Sequence, residues 1–441
     1  MADTTSTQRT SGWAKVFGGV FTARVLSSAL VLATVLLLGR VLGPTRYADL
    51  VILLSIMKVA AELVGPALDT TLVRFAAMRH ADRPEDALPY YRTILHAKLA
   101  LVALLLVGGL VLAVPLRDLL LEPGHEGALS AQAVWIAFAG AAATVLWGYA
   151  QAVYQAQQRF GTFAGLELLN ALLRLIFVGA VLAFVWNGLT TILLAYVLAG
   201  IVSAILAWVC LPSFIFAANP GSATVWKEML HFAKWVLAAC CFTSIVQRVD
   251  IFLLAAFHAP KTSIGDYGAA LQLTLLGDLA IGTLFMTLLP KASGLKTGVE
   301  TRHFLGAFVR PMGLAAAAAL PIIVLSGPIV LLTFGPDYDQ TAKLFAILLI
   351  GTLFAMGSAP AGAALYGLGH SRAIALLELA KLVATLILGV IVVPRFGVLG
   401  MAWAIAAVKG VVGVATYIVA SKYARLIAPD PPEGLGPEPL V

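Results

Sequence analysis

Charge is the first thing the sequence lacks. Asp, Glu, Lys and Arg make up 12% of its 441 residues, about half the share of an ordinary soluble domain. With 61% hydrophobic residues and a mean hydropathy of +0.95, the chain reads as an integral membrane protein. Dividing its length into soluble domains of ~150 residues therefore does not apply. Cysteine is scarce as well. Cys210, Cys240 and Cys241 all lie in apolar runs, without metal-ligand spacing or histidine partners, so neither a disulfide framework nor a metal site is expected. A Gly-rich phosphate loop and a dinucleotide fingerprint are both missing, which argues against ATP bound to this chain as an energy source. The histidines scatter over loops and helix ends, and no Ser/His/Asp arrangement appears. An enzyme is not expected, nor is a cofactor. The net charge of +7 suits basic loops beside anionic lipid, and no nucleic-acid-binding motif accompanies it.

What is present is a series of about twelve apolar segments: 14–42, 47–69, 94–116, 129–157, 163–186, 189–216, 230–257, 265–290, 304–333, 341–367, 371–393 and 397–423. Each is long enough to cross a ~30 Å hydrocarbon core, which takes about 20 residues. The first run is too long for a signal-peptide core and is expected to be retained as a spanning helix. Both termini and the loops after even-numbered segments carry 15 Lys and Arg residues, against 6 in the opposite loops. Excess positive charge marks the cytoplasmic side. The expected localisation is thus a multi-pass protein of the bacterial inner (plasma) membrane with both termini cytoplasmic.

The two halves echo each other. Gly43-Pro44-Thr45-Arg46-Tyr47 resembles Ala259-Pro260 followed by Asp266-Tyr267. Ala152-Val153-Tyr154-Gln155 resembles Ala364-Leu365-Tyr366-Gly367, and Leu166-Glu167-Leu168 resembles Leu377-Glu378-Leu379. Three matches in the same order suggest two six-helix halves of like orientation, related by an axis along the membrane normal, with a central cavity. The expected fold is an all-α polytopic membrane protein with about 12 transmembrane helices in two pseudo-symmetric six-helix bundles. The divisions are a disordered N-terminus (1–11), a first bundle (12–217), a cytoplasmic linker (218–229), a second bundle (230–424) and a disordered tail (425–441).

Charges inside these segments carry the functional reading. Counted at about 1.5 Å per residue, Arg24, Lys58, Glu62, Arg174, Arg248, Asp250, Asp278 and Lys409 fall near mid-membrane. Such groups cost several kcal/mol unless they face a protein interior or a watery cavity. Two readings stay open: the charges line a polar route, or they pair structurally. Lys58 and Glu62, four residues apart, can pair on one helical face. Arg248 and Asp250 point to different faces, and pseudo-symmetry suggests Arg24 as the partner of Asp250. The surplus of cations favours an anionic substrate such as a diphosphate or acidic sugar, because Arg grips phosphate oxygens in a bidentate way. Arg24, Arg174, Arg248 and Lys409 are the candidate substrate-binding residues. Asp250, Asp278 and Glu62 are the candidates for coupling to H+ or Na+.

Several stretches resemble the polysaccharide-type flippases of the multidrug/oligosaccharidyl-lipid/polysaccharide exporter superfamily. They are LLLGRVLGPTRYADL, ALDTTLVRFAA, AVYQAQQRF, QRVDIFLLAAF with IGDYGAALQL, LLPKAS and ALYGLGHSR. The resemblance spans roughly residues 14–423. It implies a MATE-like fold, alternating access, and an undecaprenyl-diphosphate-linked oligosaccharide moved to the periplasmic leaflet for O-antigen, exopolysaccharide or capsule synthesis. It also implies contact with membrane lipids and with polysaccharide polymerase machinery. Lipid II flippases have fourteen spans, two more than are counted here. The alternatives are a cation-coupled multidrug exporter of the same superfamily and a membrane polysaccharide polymerase or ligase. The last usually carries a large periplasmic loop that this chain does not have.

Overall fold

The structure is a computed structural model. It describes residues 4–63, 65–80, 87–120, 130–184, 188–212, 215, 223–295 and 297–426. Among them all long regular structure is helical and no strand occurs.

The chain falls into two compact units, Met1–Gly268 and Ala269–Val441. This division lies later in the chain than the linker expected at 218–229, part of which lies outside the described residues. Helices α1 (Thr4–Glu62), α2 (Gly65–His80), α3 (Leu88–Leu120), α4 (Ala131–Ala156), α5 (Phe160–Phe184), α6 (Leu189–Val209), α7 (Ala223–Val246) and α8 (Val249–Ala256) belong to the first unit, which also takes the start of α9 (Lys261–Leu273). The second unit holds α10 (Leu275–Ser293), α11 (Gly298–Ala307), α12 (Val309–Val324), α13 (Ser326–Thr333), α14 (Thr341–Gly367) and α15 (Ser371–Leu426). Helix α1 already begins at Thr4, inside the segment expected to be disordered. The tail from residue 427 lies outside the described residues.

Helices α1 and α15 are 59 and 56 residues long. Unbent, either would run more than about 80 Å, well over twice the hydrocarbon core. Each instead bends at one glycine with positive φ: Gly43 at 68° and Gly397 at 57°. A side chain is strained in that region and glycine is not. Pro44 follows the first bend, and Pro394 precedes the second.

Eight helices are long and apolar enough to cross a membrane, and two bent pairs raise the number to 10. Since α1 and α15 each have length for two crossings, the described residues supply the twelve expected from the sequence. This is an all-α polytopic membrane protein. The bent pairs are a difference from expectation. The segments 230–257 and 265–290 read as continuous spans, but the first breaks by 45° between Val246 and Val249, and the second by 40° near Thr274.

One central helix organises each unit. Helix α4 packs on α1, α2, α3, α5 and α6, and α14 packs on α10, α12, α13 and α15. Both are rich in alanine and glycine, which lets neighbouring backbones come close without a hydrophobic drive between helices. At one end of the first unit tyrosines seal the packing. The Tyr149 hydroxyl donates to the Tyr91 carbonyl at 3.0 Å and the Tyr154 hydroxyl to the Ala207 carbonyl at 3.0 Å. Each satisfies a polar tip that burial would otherwise penalise.

Candidate functional site

The polar interior of the first unit forms around two helix interruptions. Helix α1 stops at Glu62 and α2 starts at Gly65, so the last carbonyls of α1 have no partner within the helix. Helix α7 supplies partners: Ser244 Oγ donates to the Glu62 carbonyl at 3.0 Å and Cys241 Sγ to the Leu63 carbonyl at 2.7 Å. A few residues on, α7 itself breaks and Arg248 takes the position before α8, with φ −139° and ψ −2°. Irregular backbone at membrane depth is tolerated where it is buried in protein or lines a cavity. Broken helices of this kind build ion and substrate sites in transporters.

Arg248 is half-buried, and its Nε has no hydrogen-bond partner among the described residues. Its charge acts on Tyr47, Tyr267 and Glu62. Tyr47 and Tyr267 are the two tyrosines matched by the internal repeat, and both are buried. Tyr267 donates its hydroxyl to Asp250 Oδ2 at 2.8 Å, while Asp250 Oδ1 accepts from the Ile251 amide at 2.8 Å. Glu62 pairs with Lys58 at 3.8 Å, four residues earlier, as the spacing predicted. Tyr196 acts electrostatically on Tyr47 and accepts a 2.6 Å hydrogen bond from Arg174 Nη1. Of the charges named from sequence, Arg174 thus meets Tyr196 and Asp250 meets Tyr267, while Arg248 acts electrostatically on Tyr47, Tyr267 and Glu62.

The other candidates lie apart. Arg24 Nε approaches Glu167 at 3.5 Å, and its guanidinium sits 5.7 Å from the centre of the Phe163 ring. The partnership of Arg24 with Asp250, inferred from pseudo-symmetry, gives way to Glu167 for the one and Tyr267 for the other. In the second unit Asp278 is exposed and Lys409 half-buried. They flank the same level of α14: Gly277 is fitted against Thr352, and Gly351 against the Lys409 stem.

The sequence reading missed one pair. Lys98 is fully buried and its Nζ lies 2.8 Å from Asp69 Oδ1 and 2.9 Å from Oδ2. Gly65 and Gly148 make room for these heads: a Cβ at Gly148 would come within 3.0 Å of the Asp69 carboxylate. The segment of Lys98 was expected to begin at 94, which set it only four residues from the end. The helix begins at Leu88 and carries Lys98 about 15 Å inward from that end. Asp69 did stand in a recognised stretch, ALDTTLVRFAA. Among the described residues no group of three His, Cys, Asp or Glu side chains could hold a metal ion.

The sequence profile described as "Polysaccharide biosynthesis protein" matches residues 15–296, more than half of the chain. The chain belongs to that family. A candidate O-antigen transporter of Shigella flexneri is 24% identical over 186 residues, 41% of this chain and 44% of that protein. The match therefore spans less than half the length of that relative. Among solved structures, an inward-facing multidrug resistance MATE family transporter of the MOP superfamily aligns with a TM-score of 0.73 at 15% identity, covering 91% of this chain and 95% of the other. The lipid II flippase MurJ, in an inward closed conformation, gives 0.72 at 16% identity, covering 91% and 87%. A MOP superfamily transporter from Pyrococcus furiosus, described as having a binding pocket of reversed polarity, gives 0.62 at 14% identity, covering 94% and 96%. At these identities the structural matches establish the fold of this family member.

Proposed function

We propose that the chain is a non-enzymatic flippase. It carries a lipid-linked oligosaccharide with a diphosphate headgroup from the cytoplasmic to the periplasmic leaflet of a bacterial inner membrane, by alternating access. Membership of the polysaccharide biosynthesis family and the O-antigen transport named for the Shigella flexneri relative support the substrate class. The observation that carries the reading is Arg248. A cation set in a broken helix, acting electrostatically on two buried tyrosines and with a free Nε, is suited to a phosphate group, two of whose oxygens accept the two parallel N–H bonds of a guanidinium.

In this reading Arg174 and Arg248 hold the headgroup charge in the first unit, Arg24 contributes from its contact with Glu167, and Lys409 contributes from the second unit. Asp250, Glu62 and Asp278 take up the coupling H+ or Na+. O-antigen, exopolysaccharide or capsule would be the product served, with polysaccharide polymerase machinery downstream. Both termini lie in the cytoplasm.

The test is polysaccharide display in cells that depend on this chain, at matched protein levels. Arg248→Ala abolishes display and Arg248→Lys restores only part of it, since an ammonium cannot make the bidentate contact. Full display by Arg248→Ala combined with Arg174→Ala would overturn the proposal.

A further inference from the structure

The second unit carries a surface that the reading above does not use. The second arm of α15, after the Gly397 bend, runs beside α14 in the same direction: Gly351 faces Ala406, Ser358 faces Gly413, and Leu365 shares a core with Ala420. The first arm begins at the end where the second one finishes. There Ile374 and Leu377 join the same core, and His370 stacks on Tyr423 with ring centres 3.9 Å apart. Helix α11 closes this end, with Leu305 buried in the core and Phe304 packed against it.

Each arm turns one stripe of side chains outward. On the second arm Trp403, Ala407, Val411, Val414 and Ile418 are exposed. They stand three or four residues apart, so they share one helical face. The same spacing carries the stripe on to Lys422 and Arg425, both exposed. On the first arm the order is reversed: exposed Arg372 comes first, and Leu376, Ala380, Val383 and Ile387 follow. Both stripes are apolar along the arm and basic at the end they share.

That end gathers charge of one sign. Lys291, Arg302, Arg310, Arg372, Lys422 and Arg425 are exposed there, and Glu300 is the exposed acid among the described residues around them. At the other end, where α14 starts beside the Gly397 bend, exposed Asp337 and Asp339 balance exposed Lys343 and Arg395. The pattern selects a partner. An acidic protein would match the bases and leave the apolar stripes uncovered. A zwitterionic lipid would cover the stripes and leave the surplus of positive charge unanswered. An anionic phospholipid meets both: its acyl chains lie along a stripe, and its phosphate sits among bases that attract it and whose guanidinium groups can grip it with paired N–H bonds.

We propose that the end of the second unit where both arms of α15 meet α11 is a binding site for an anionic phospholipid of the surrounding bilayer. The site shares no residue with the one around Arg248, and the inference does not depend on the flippase reading. A lipid held there touches segments far apart in sequence, α11 and both ends of α15, and ties them together where like charges would otherwise push them apart.

The experiment purifies the full chain in detergent with equimolar phosphatidylglycerol and phosphatidylethanolamine, and native mass spectrometry counts the lipid retained. Phosphatidylglycerol is expected to exceed phosphatidylethanolamine at least about fivefold, the share of a single base near an anionic headgroup. Arg372→Gln, Lys422→Gln and Arg425→Gln together bring the ratio close to one. Arg302→Gln with Arg310→Gln, an independent variant on α11 and α12, lowers it at least about twofold and decides the matter if the triple variant loses its melting temperature. Arg74→Gln, Arg159→Gln and Lys227→Gln together, exposed bases of the first unit, leave the ratio as it was. No preference in the native chain, a ratio that ignores both second-unit variants, or an equal loss in the first-unit variant would overturn the proposal. Two competitors separate the sources of negative charge. Inorganic phosphate that displaces the lipid at the same concentration would mean a site for free phosphate, and polyglutamate that does so would mean a site for acidic protein; either overturns it.

Discussion

Glu167 and Glu378 sit in matched stretches of the repeat, yet they do different things. In the first unit Glu167 reaches another helix and meets Arg24. In the second unit Glu378 turns to Lys381 on its own helix, at 2.6 Å and three residues away. The contrast extends through the interior. The first unit buries Asp49, Arg92, Lys98, Asp250 and Asp266. In the second, the buried polar side chains among the described residues are threonines and a tyrosine. Thr274, Thr301 and Thr352 return their hydroxyls to nearby carbonyls of their own segments, Thr352 to Leu348 at 3.1 Å. Two units with the same central-helix plan thus differ in what they shield. One keeps charges out of lipid at a cost of several kcal/mol each, and the other is a packed apolar bundle. A cost of that size is retained where the charges act, so the chemistry is expected to concentrate in the first unit.

The comparison breaks most readily at the cations. A hydrogen bond to a charged group is worth ~1.5–3 kcal/mol, so Arg248→Ala, which removes the guanidinium proposed to hold the headgroup, should lower polysaccharide display at least about tenfold. Lys409→Ala, in the second unit, should cost less than about threefold. Equal losses would mean that the units share the work. Stability offers the next test. Lys98→Ala strands the Asp69 carboxylate and should cost ~3–5 kcal/mol, whereas Lys98→Met with Asp69→Leu should recover most of it. Lys381→Ala should cost under ~0.5 kcal/mol. Denaturant unfolding of the purified protein reads all three.

A smaller effect is expected from close packing. A Cβ at Gly265 would collide with the Pro44 carbonyl, whereas one at Gly362 meets open space. Gly265→Ala should therefore destabilise by ~1–3 kcal/mol and Gly362→Ala not at all, measured as melting temperature. Smallest is the pair of glutamates. Glu167→Gln should cost ~0.2–1 kcal/mol and Glu378→Gln about half that, because partly exposed pairs are worth little. A reversed order would show that the in-helix pair matters more than the tie between helices.

Much of this was legible before any coordinates. Runs of apolar residues longer than a bilayer thickness leave few options, and the twelve segments emerge from them. Lys58 and Glu62 could be paired from spacing alone, because a helix fixes which residues share a face. Tyr47 and Tyr267 were visible as repeat partners, though not as tyrosines under the charge of Arg248, since that requires α1, α8 and α9 to meet. The break at Arg248 was not legible: neither proline nor glycine marks it, and tertiary packing overrides propensity there; the break near Thr274 has only Gly277 beside it. The segment that holds Lys98 was expected to start six residues too late, and a few residues at a helix end decide whether a lysine is interfacial or buried.

The bend at Gly43 has one more consequence. The helix changes direction there within a single residue, and the stretch after the bend is engaged: Pro44 lies against Gly265, and Asp49, six residues on, holds Lys261 at 3.1 Å. That corner has no slack. Length cannot be added at Gly43 without prising α9 away, so an epitope tag or a fused module would have to be accommodated somewhere else on the chain.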